Sequence, residues 1–257
     1  MLNMVSTDQF VDVGTHKLHV VLTDTPSEYT LVLESGGGKT STAYREIQDT
    51  LAERTGIRVM SYDRSGFGQS ELGPDDFDAI DEVDALKKCL DAQGFNDKFI
   101  LVGHSYGGFL IQLFTLRYPE LVSGLVLIDP MNVRFMDSFG LDNLNAATPY
   151  FENPTENYEK AGNRMVDFAP IAIEALRGKE LPPQKPVLLI TAGNGPFSPG
   201  LWRKCHGEMV MDSEKHQLMI AEENNHDILE ENPELVLSAI IELVNRIRSE
   251  SHLEYGT

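Results

Sequence analysis

Phe99-Ile100-Leu101-Val102-Gly103-His104-Ser105-Tyr106-Gly107-Gly108-Phe109-Leu110-Ile111-Gln112-Leu113-Phe114 is the stretch on which the reading of this chain turns. Residues 99–102 form a short apolar run bounded by a turn residue, the pattern of a buried strand. Residues 109–116 are too long and too apolar for a second strand after so tight a turn, and they read as a buried helix. Between the two lies G-x-S-x-G. Strand, G-x-S-x-G and helix together are the context in which a serine sits on a strained turn with its hydroxyl exposed at the carboxyl end of a sheet. Side chains at 103 and 107 would collide with neighbouring backbone. The N–H of Tyr106, at the start of the helix, is aimed where an oxyanion would form. Ser105 is therefore the candidate nucleophile. The plainer alternative is a strand–helix turn whose serine only makes a local hydrogen bond.

The rest of the chain alternates strands and helices around this turn. Residues 10–13 and 17–23 read as two strands of an edge hairpin joined at Gly14-Thr15. Residues 30–34 form a third strand that ends in Ser35-Gly36-Gly37-Gly38, where the backbone must bend sharply or approach something closely. A helix over 44–54 and a strand over 57–62 follow. Phe77, Ile80, Val83, Leu86 and Leu90 have helical spacing. The acidic set Asp75, Asp76, Asp78, Asp81, Glu82 and Asp84 clusters toward the start of that helix. It reads as a solvated face that complements the helix dipole and not as a metal site. After the Ser105 helix come a strand over 121–128, ending in Asp129-Pro130, and a strand over 186–191. A helix over 201–211, a last strand over 217–221 and a final helix follow. That final helix opens at Asn232-Pro233 with a capping Asn and Pro in the first turn. The expected architecture is α/β, with a mainly parallel, eight-stranded sheet and helices on both faces. In residues 131–184 the alternation breaks, with Phe135, Met136, Phe139, Leu144, Phe151, Met165 and Phe168 scattered through it. This segment is expected to be a small helical cap over the carboxyl end of the sheet, inserted into a core made of residues 1–130 and 185–257.

With 257 residues, the chain can bury one large α/β core. Its net charge of −19 disfavours nucleic acid and anionic membranes as partners. Two cysteines, Cys89 and Cys205, demand no disulfide and fit a reducing, cytoplasmic compartment. Residues 1–10 lack the pattern of a signal peptide, and no apolar run reaches membrane-spanning length.

A serine hydroxyl needs a base, the base needs an orienter, and the oxyanion needs donors. Seven histidines compete for the first role: His16, His19, His104, His206, His216, His226 and His252. His226 lies in the loop between the last strand and the final helix, on the same sheet edge as Ser105. His104 adjoins Ser105, but its side chain would point away along the turn. Asp129 ends the strand after the Ser105 helix and is the candidate orienter, because the next strand ends in Thr191-Ala192-Gly193-Asn194-Gly195 without a carboxylate. The glycine run nominates the N–H of Gly37, with that of Tyr106, as the oxyanion donors. A phosphate-binding loop is the weaker reading of that run, since the G-x-x-x-x-G-K-[ST] spacing is missing.

On these residues the chain resembles the α/β-hydrolase superfamily over essentially its whole length. The order Ser105, Asp129, His226 matches that superfamily's nucleophile–acid–histidine order. Ser61-Tyr62-Asp63-Arg64-Ser65-Gly66-Phe67-Gly68-Gln69-Ser70 looks like the loop after an early strand in many esterase-like members, which implies a structural Asp63. Two departures stand out. Many members carry His-Gly where this chain has Ser35-Gly36, and many place the acid after the strand that here ends at 191. The resemblance implies a cofactor-free serine hydrolase acting on a small-molecule carboxylic ester or related acyl compound. The same triad serves lactonases, thioesterases, amidases, aminopeptidases and carbon–carbon bond hydrolases. A slow or non-enzymatic ligand-binding signalling protein shares the fold. Epoxide hydrolases and haloalkane dehalogenases use an Asp nucleophile, against which Ser105 argues.

Overall fold

The computed structural model describes residues 5–96 and 98–255. Residues 1–4, part of the segment read for a signal peptide, lie outside the described residues, as does the side chain of His252. The strands are β1 (Thr7–Asp12), β2 (Lys17–Thr23), β3 (Thr30–Glu34), β4 (Arg58–Tyr62), β5 (Phe99–His104), β6 (Val122–Ile128), β7 (Val187–Ala192) and β8 (His216–Ala221). Among the described residues they form one eight-stranded sheet in the order β1-β2-β4-β3-β5-β6-β7-β8. β1 and β2 pair antiparallel, as do β2 and β4; all other pairs are parallel. This is the α/β-hydrolase fold.

Parallel strands covered on both faces are apolar at every position, because alternate side chains enter opposite layers. Phe99 and Leu101 of β5 join one core with Leu125 and Leu127 of β6. Ile100 and Val102 join a second core with Val126 and Ile128. The first layer is completed by α2 (Ala79–Ala92), α3 (Tyr106–Arg117) and α8 (Pro199–Val210). The second is completed by α1 (Arg45–Thr55), the short α9 (Ile228–Glu231) and α10 (Pro233–Tyr255). The turn of α9 carries no periodic signal of its own and was not expected. Asn232 does cap the final helix, accepting the Leu235 N–H at 3.2 Å.

Strand order decides where a site can form. The chain leaves β3 toward β4 on one side and leaves β5 toward β6 on the other, so the loops after β3 and β5 diverge and open a crevice at the carboxyl ends. The glycine run 36–38 and Ser105 flank that crevice. Between β6 and β7 the chain forms α4 (Val133–Phe139), α5 (Leu141–Ala147), α6 (Asn157–Asp167) and α7 (Ala169–Leu176). The first three hang over the crevice, while α7 packs on α2 and α3.

The acidic stretch at the start of α2 is not uniformly solvated. Asp78 caps the helix by accepting from the Ile80 and Asp81 N–H groups. Asp84 pairs with Arg117. Glu82 is half-buried and accepts a hydrogen bond from the Tyr106 hydroxyl at 3.2 Å. Burial pushes its pKa up to about 7, even with the Arg64 charge acting in the other direction.

The start of α3 lies against the end of β3 with no room for a side chain. A Cβ at Gly107 would stand 2.4 Å from the Ser35 carbonyl oxygen and 2.5 Å from that of Glu34. Both obstacles are backbone. Gly107→Ala should therefore cost about 2–4 kcal/mol of stability, read by urea denaturation. A loss under about 0.5 kcal/mol, the range of an inert surface change, would show that the two elements slide apart freely.

Candidate active site

Ser105 occupies the turn between β5 and α3 with φ 52° and ψ −116°. A positive φ is costly for a non-glycine residue, and here it is held by packing on both flanks. A Cβ at Gly103 would meet the Gly107 carbonyl oxygen at 2.6 Å, so the turn closes on itself around two bare backbones. The Ser105 N–H donates to the Ile128 carbonyl at 3.0 Å, and the Ser105 carbonyl accepts from the Met131 N–H at 3.0 Å. The turn is thus tied to the segment that carries Asp129.

Asp129 is fully buried just past β6, with φ 42°. Its Oδ1 accepts from the Ala192 N–H at 2.8 Å and from the Trp202 indole N–H at 2.8 Å. Its Oδ2 lies 2.6 Å from His226 Nδ1. Burial pushes the Asp129 pKa up, but the hydrogen bond and charge of His226 and the Ala192 N–H outweigh it and hold the carboxyl below its ordinary range. An ionised carboxylate only accepts, so Nδ1 of His226 carries the proton. Nε2 is left to accept from the Ser105 hydroxyl, whose Oγ is 2.8 Å away. Ser105, His226 and Asp129 are therefore brought into one hydrogen-bonded line.

Gly37 and Tyr106 face each other across the mouth of this line. A Cβ on Gly37 would lie 3.7 Å from the Tyr106 Cβ. Both residues line the same cavity as Ser105 and His226, a space of about 400 Å³. The first N–H groups of a helix have no partner within it, which applies to Tyr106 at the head of α3. The remaining walls are mainly apolar, with Phe67, Met131, Phe135, Met136, Leu144, Met165, Phe197 and Trp202 among them and Thr148 and Tyr158 adding hydroxyls. Among the described lining residues there is no Asp, Glu, Lys or Arg.

The other histidines have other places. His19 sits between Asp63 and Asp8 at 2.9 Å from each. Asp63 also accepts from the Ser41 and Gln69 N–H groups and so ties two loops together. His206 lies beneath Asp129, bonded to Thr191 Oγ1 and to the Pro130 carbonyl, each at 2.8 Å. His104 does not simply point away along the turn: its Nε2–H donates to the His226 carbonyl at 2.8 Å. It pins the backbone of the histidine loop from below. Trp202 and His104 join residues far apart in the chain, and no local pattern announces either contact. Among the described residues, no group of three or more His, Cys, Asp and Glu side chains is placed to hold a metal ion. No helix among them is long and apolar enough to cross a membrane.

Comparison with known proteins agrees with the fold. The family model described as alpha/beta hydrolase fold matches residues 29–151. The chain is 22% identical over 226 residues to the uncharacterized protein YqjL of Bacillus subtilis, covering 84% of each chain. It is 35% identical over 105 residues to the proline iminopeptidase of Lactobacillus helveticus, covering 38% of this chain and 34% of that protein. A 29% identical match over 126 residues to the probable transporter efuK of Hormonema carpetanum spans 18% of that protein's length. Among solved structures, a thermophilic esterase from Thermogutta terrifontis superposes with a TM-score of 0.65 at 22% identity, covering 93% of this chain and 99% of that one. The chain is an α/β-hydrolase-fold protein.

Burial, reinforced by the neighbouring His226 ring, pushes the His104 pKa from its ordinary 6.5 down to about 4. Between those values the unfolded chain binds a proton that the folded one does not, so stability falls as pH drops through that window. The loss amounts to about 3 kcal/mol across it. In denaturation measured from pH 7 to pH 4, His104→Gln should show a flatter decline than the parent protein. Parallel declines would mean that His104 titrates normally when folded.

Proposed function

We propose that this protein is a serine hydrolase that cleaves a neutral, apolar carboxylic ester through an acyl-enzyme. The observation that carries the reading is the line Ser105 Oγ–His226 Nε2–His226 Nδ1–Asp129 Oδ2, at 2.8 and 2.6 Å, opening into an apolar cavity. Ser105 Oγ attacks the ester carbonyl carbon while His226 Nε2 takes the hydroxyl proton. The carbonyl oxygen becomes an oxyanion, which the N–H groups of Gly37 and Tyr106 receive. His226 then gives its proton to the departing alcohol, and an acyl group remains on Ser105. Water, deprotonated by His226, attacks that acyl group; the bond to Ser105 Oγ breaks, His226 returns the proton to Oγ, and the acid leaves. Asp129 stays ionised throughout, holding the imidazole tautomer and balancing the imidazolium that forms in each half-reaction.

The cavity wall favours an ester over an aminoacyl amide. A free substrate ammonium, once out of water, needs a carboxylate partner, and no described lining residue supplies one. The fold alone leaves a thioester or lactone equally accessible to Ser105, so the wall supports the apolar character of the substrate more strongly than the identity of its leaving group.

A fluorophosphonate probe should label the parent protein, and Ser105→Ala should abolish both labelling and p-nitrophenyl ester hydrolysis. Asp129→Asn should lower kcat by about 10⁴-fold, because an amide at that position no longer fixes the tautomer. Each methylene buried in the cavity contributes about 0.8 kcal/mol, so kcat/KM should rise by roughly tenfold from acetate to butyrate esters. An unlabelled parent protein would sink the hydrolase reading in favour of ligand binding without turnover. Preference for a prolyl or other aminoacyl amide over butyrate esters would sink the ester reading.

A further inference from the structure

Resting on the hydrolase reading above, we infer that Arg64 is a positioning residue for the oxyanion site: it holds the Gly36–Gly37 peptide so that the Gly37 N–H faces the cavity. Arg64 is 2% exposed and lies under the loop after β3. One guanidinium nitrogen, Nη1, donates to the Ser35 carbonyl at 2.5 Å and to Glu34 Oε1 at 2.6 Å. The other, Nη2, donates to the Gly36 carbonyl at 2.6 Å. A planar trans peptide points its C=O and N–H in opposite directions, and no cis peptide occurs among the described residues. Drawing the Gly36 oxygen down onto Arg64 therefore turns the Gly37 N–H up, away from Arg64 and toward Ser105. The turn bond from the Lys39 N–H to the same oxygen, at 3.1 Å, holds the carbonyl from the loop side. Arg64 supplies the anchor from the core side.

The guanidinium also reaches the second donor. Its carbon lies 5.3 Å from the centre of the Tyr106 ring. The Tyr106 hydroxyl is in turn bonded to Glu82. One buried cation thus contacts both the Gly36–Gly37 peptide, through its carbonyl oxygen, and the ring of Tyr106. A lysine at this position would carry the charge without the flat fork, and one ammonium cannot span the Ser35 and Gly36 carbonyls in the same geometry. Glu34, 1% exposed, neutralises the charge and accepts a further bond from the Tyr62 hydroxyl, so the cation is kept without leaving an unpaired charge in the core. Glu34 makes none of the carbonyl contacts that Arg64 makes.

The test compares an oxygen ester with its thionoester, whose sulfur anion is larger and a poor hydrogen-bond acceptor. An oxyanion site accelerates the first far more than the second, so the ratio of their kcat values reports on the N–H donors and not on the amount of folded protein. In Arg64→Gln, kcat for the oxygen ester should fall by about 10- to 100-fold, less than the 10²–10³ that follows complete loss of a donor, because the Lys39 turn bond remains. KM should change by less than about threefold, as expected for an interaction made in the transition state. The ester-to-thionoester ratio should fall nearly as far as kcat does. Arg64→Lys should show a smaller fall in the same ratio, and it serves as the sole probe if Arg64→Gln does not fold. Glu34→Gln, which leaves the carbonyl contacts in place, should keep a ratio near that of the parent even where its melting temperature drops. An unchanged ratio in the folded Arg64 variants, with activity lost only in step with folded protein, would overturn the assignment and make Arg64 merely structural. A parent protein with neither ester turnover nor fluorophosphonate labelling would instead overturn the hydrolase reading on which the assignment rests.

Discussion

The head of α3 and the tail of β3 meet backbone to backbone, and every other feature of the site depends on that contact. The carbonyls of Glu34 and Ser35 lie where a side chain on Gly107 would be. Two stretches of chain more than sixty residues apart thereby bring Gly37 and Tyr106 to the wall of one cavity. Neither strand could accomplish this alone. The sheet supplies the divergence of the two connections, and the missing side chain at Gly107 lets the gap close until backbone meets backbone. The cost is the left-handed backbone at Ser105, sustained because the segment is tied to β6 on one side and to β3 on the other.

Much of this was legible because the signals are local. The runs 31–33, 99–102, 125–128 and 187–190 contain no polar residue, as strands covered on both faces require, and the glycines beside Ser105 mark a turn that tolerates no bulk. The lack of a carboxylate after β7 points to Asp129 at the end of β6, and the place of His226 before the last helix puts it on the same sheet edge as Ser105. The structure sets His226 Nε2 2.8 Å from Ser105 Oγ and Asp129 Oδ2 2.6 Å from His226 Nδ1. What could not be read is a set of contacts made at long range. Glu34 looked like the last residue of a strand, and Arg64 like one charge in a polar loop. Trp202 looked like an apolar residue of α8, with nothing to say that its indole N–H meets a carboxylate. Glu82 shows the opposite failure: it belongs to an acidic run that reads as solvated, yet its position on α2 turns it toward Tyr106.

Asp129 and Arg64 illustrate two ways of keeping a charge in a dry interior. Asp129 is surrounded by donors on both oxygens, so ionisation is favoured even though water is absent. Arg64 meets acceptors at both terminal nitrogens, two of them backbone carbonyls and one a carboxylate, while its buried Nε has no partner. In each case the same contacts that make the charge tolerable also fix its direction. Rigidity of the polar groups and tolerance of their burial are one property.

The chain between β6 and β7 carries a different implication. These strands pair directly in parallel register, Leu125 with Val187 through Ile128 with Ile190, whatever lies between them. Because the entropy of closing a loop grows only slowly with its length, the pairing of β6 with β7 tolerates helices α4 to α6 of different length, provided that Phe135 and Leu144 keep their places in the core. They nonetheless furnish Phe135, Met136, Leu144 and Met165, much of the apolar wall above Ser105. The line Ser105–His226–Asp129 and much of the wall above it thus come from separate segments of the chain. On the hydrolase reading proposed above, substitutions in this segment alter what the cavity accepts while Ser105, His226 and Asp129 stay where they are.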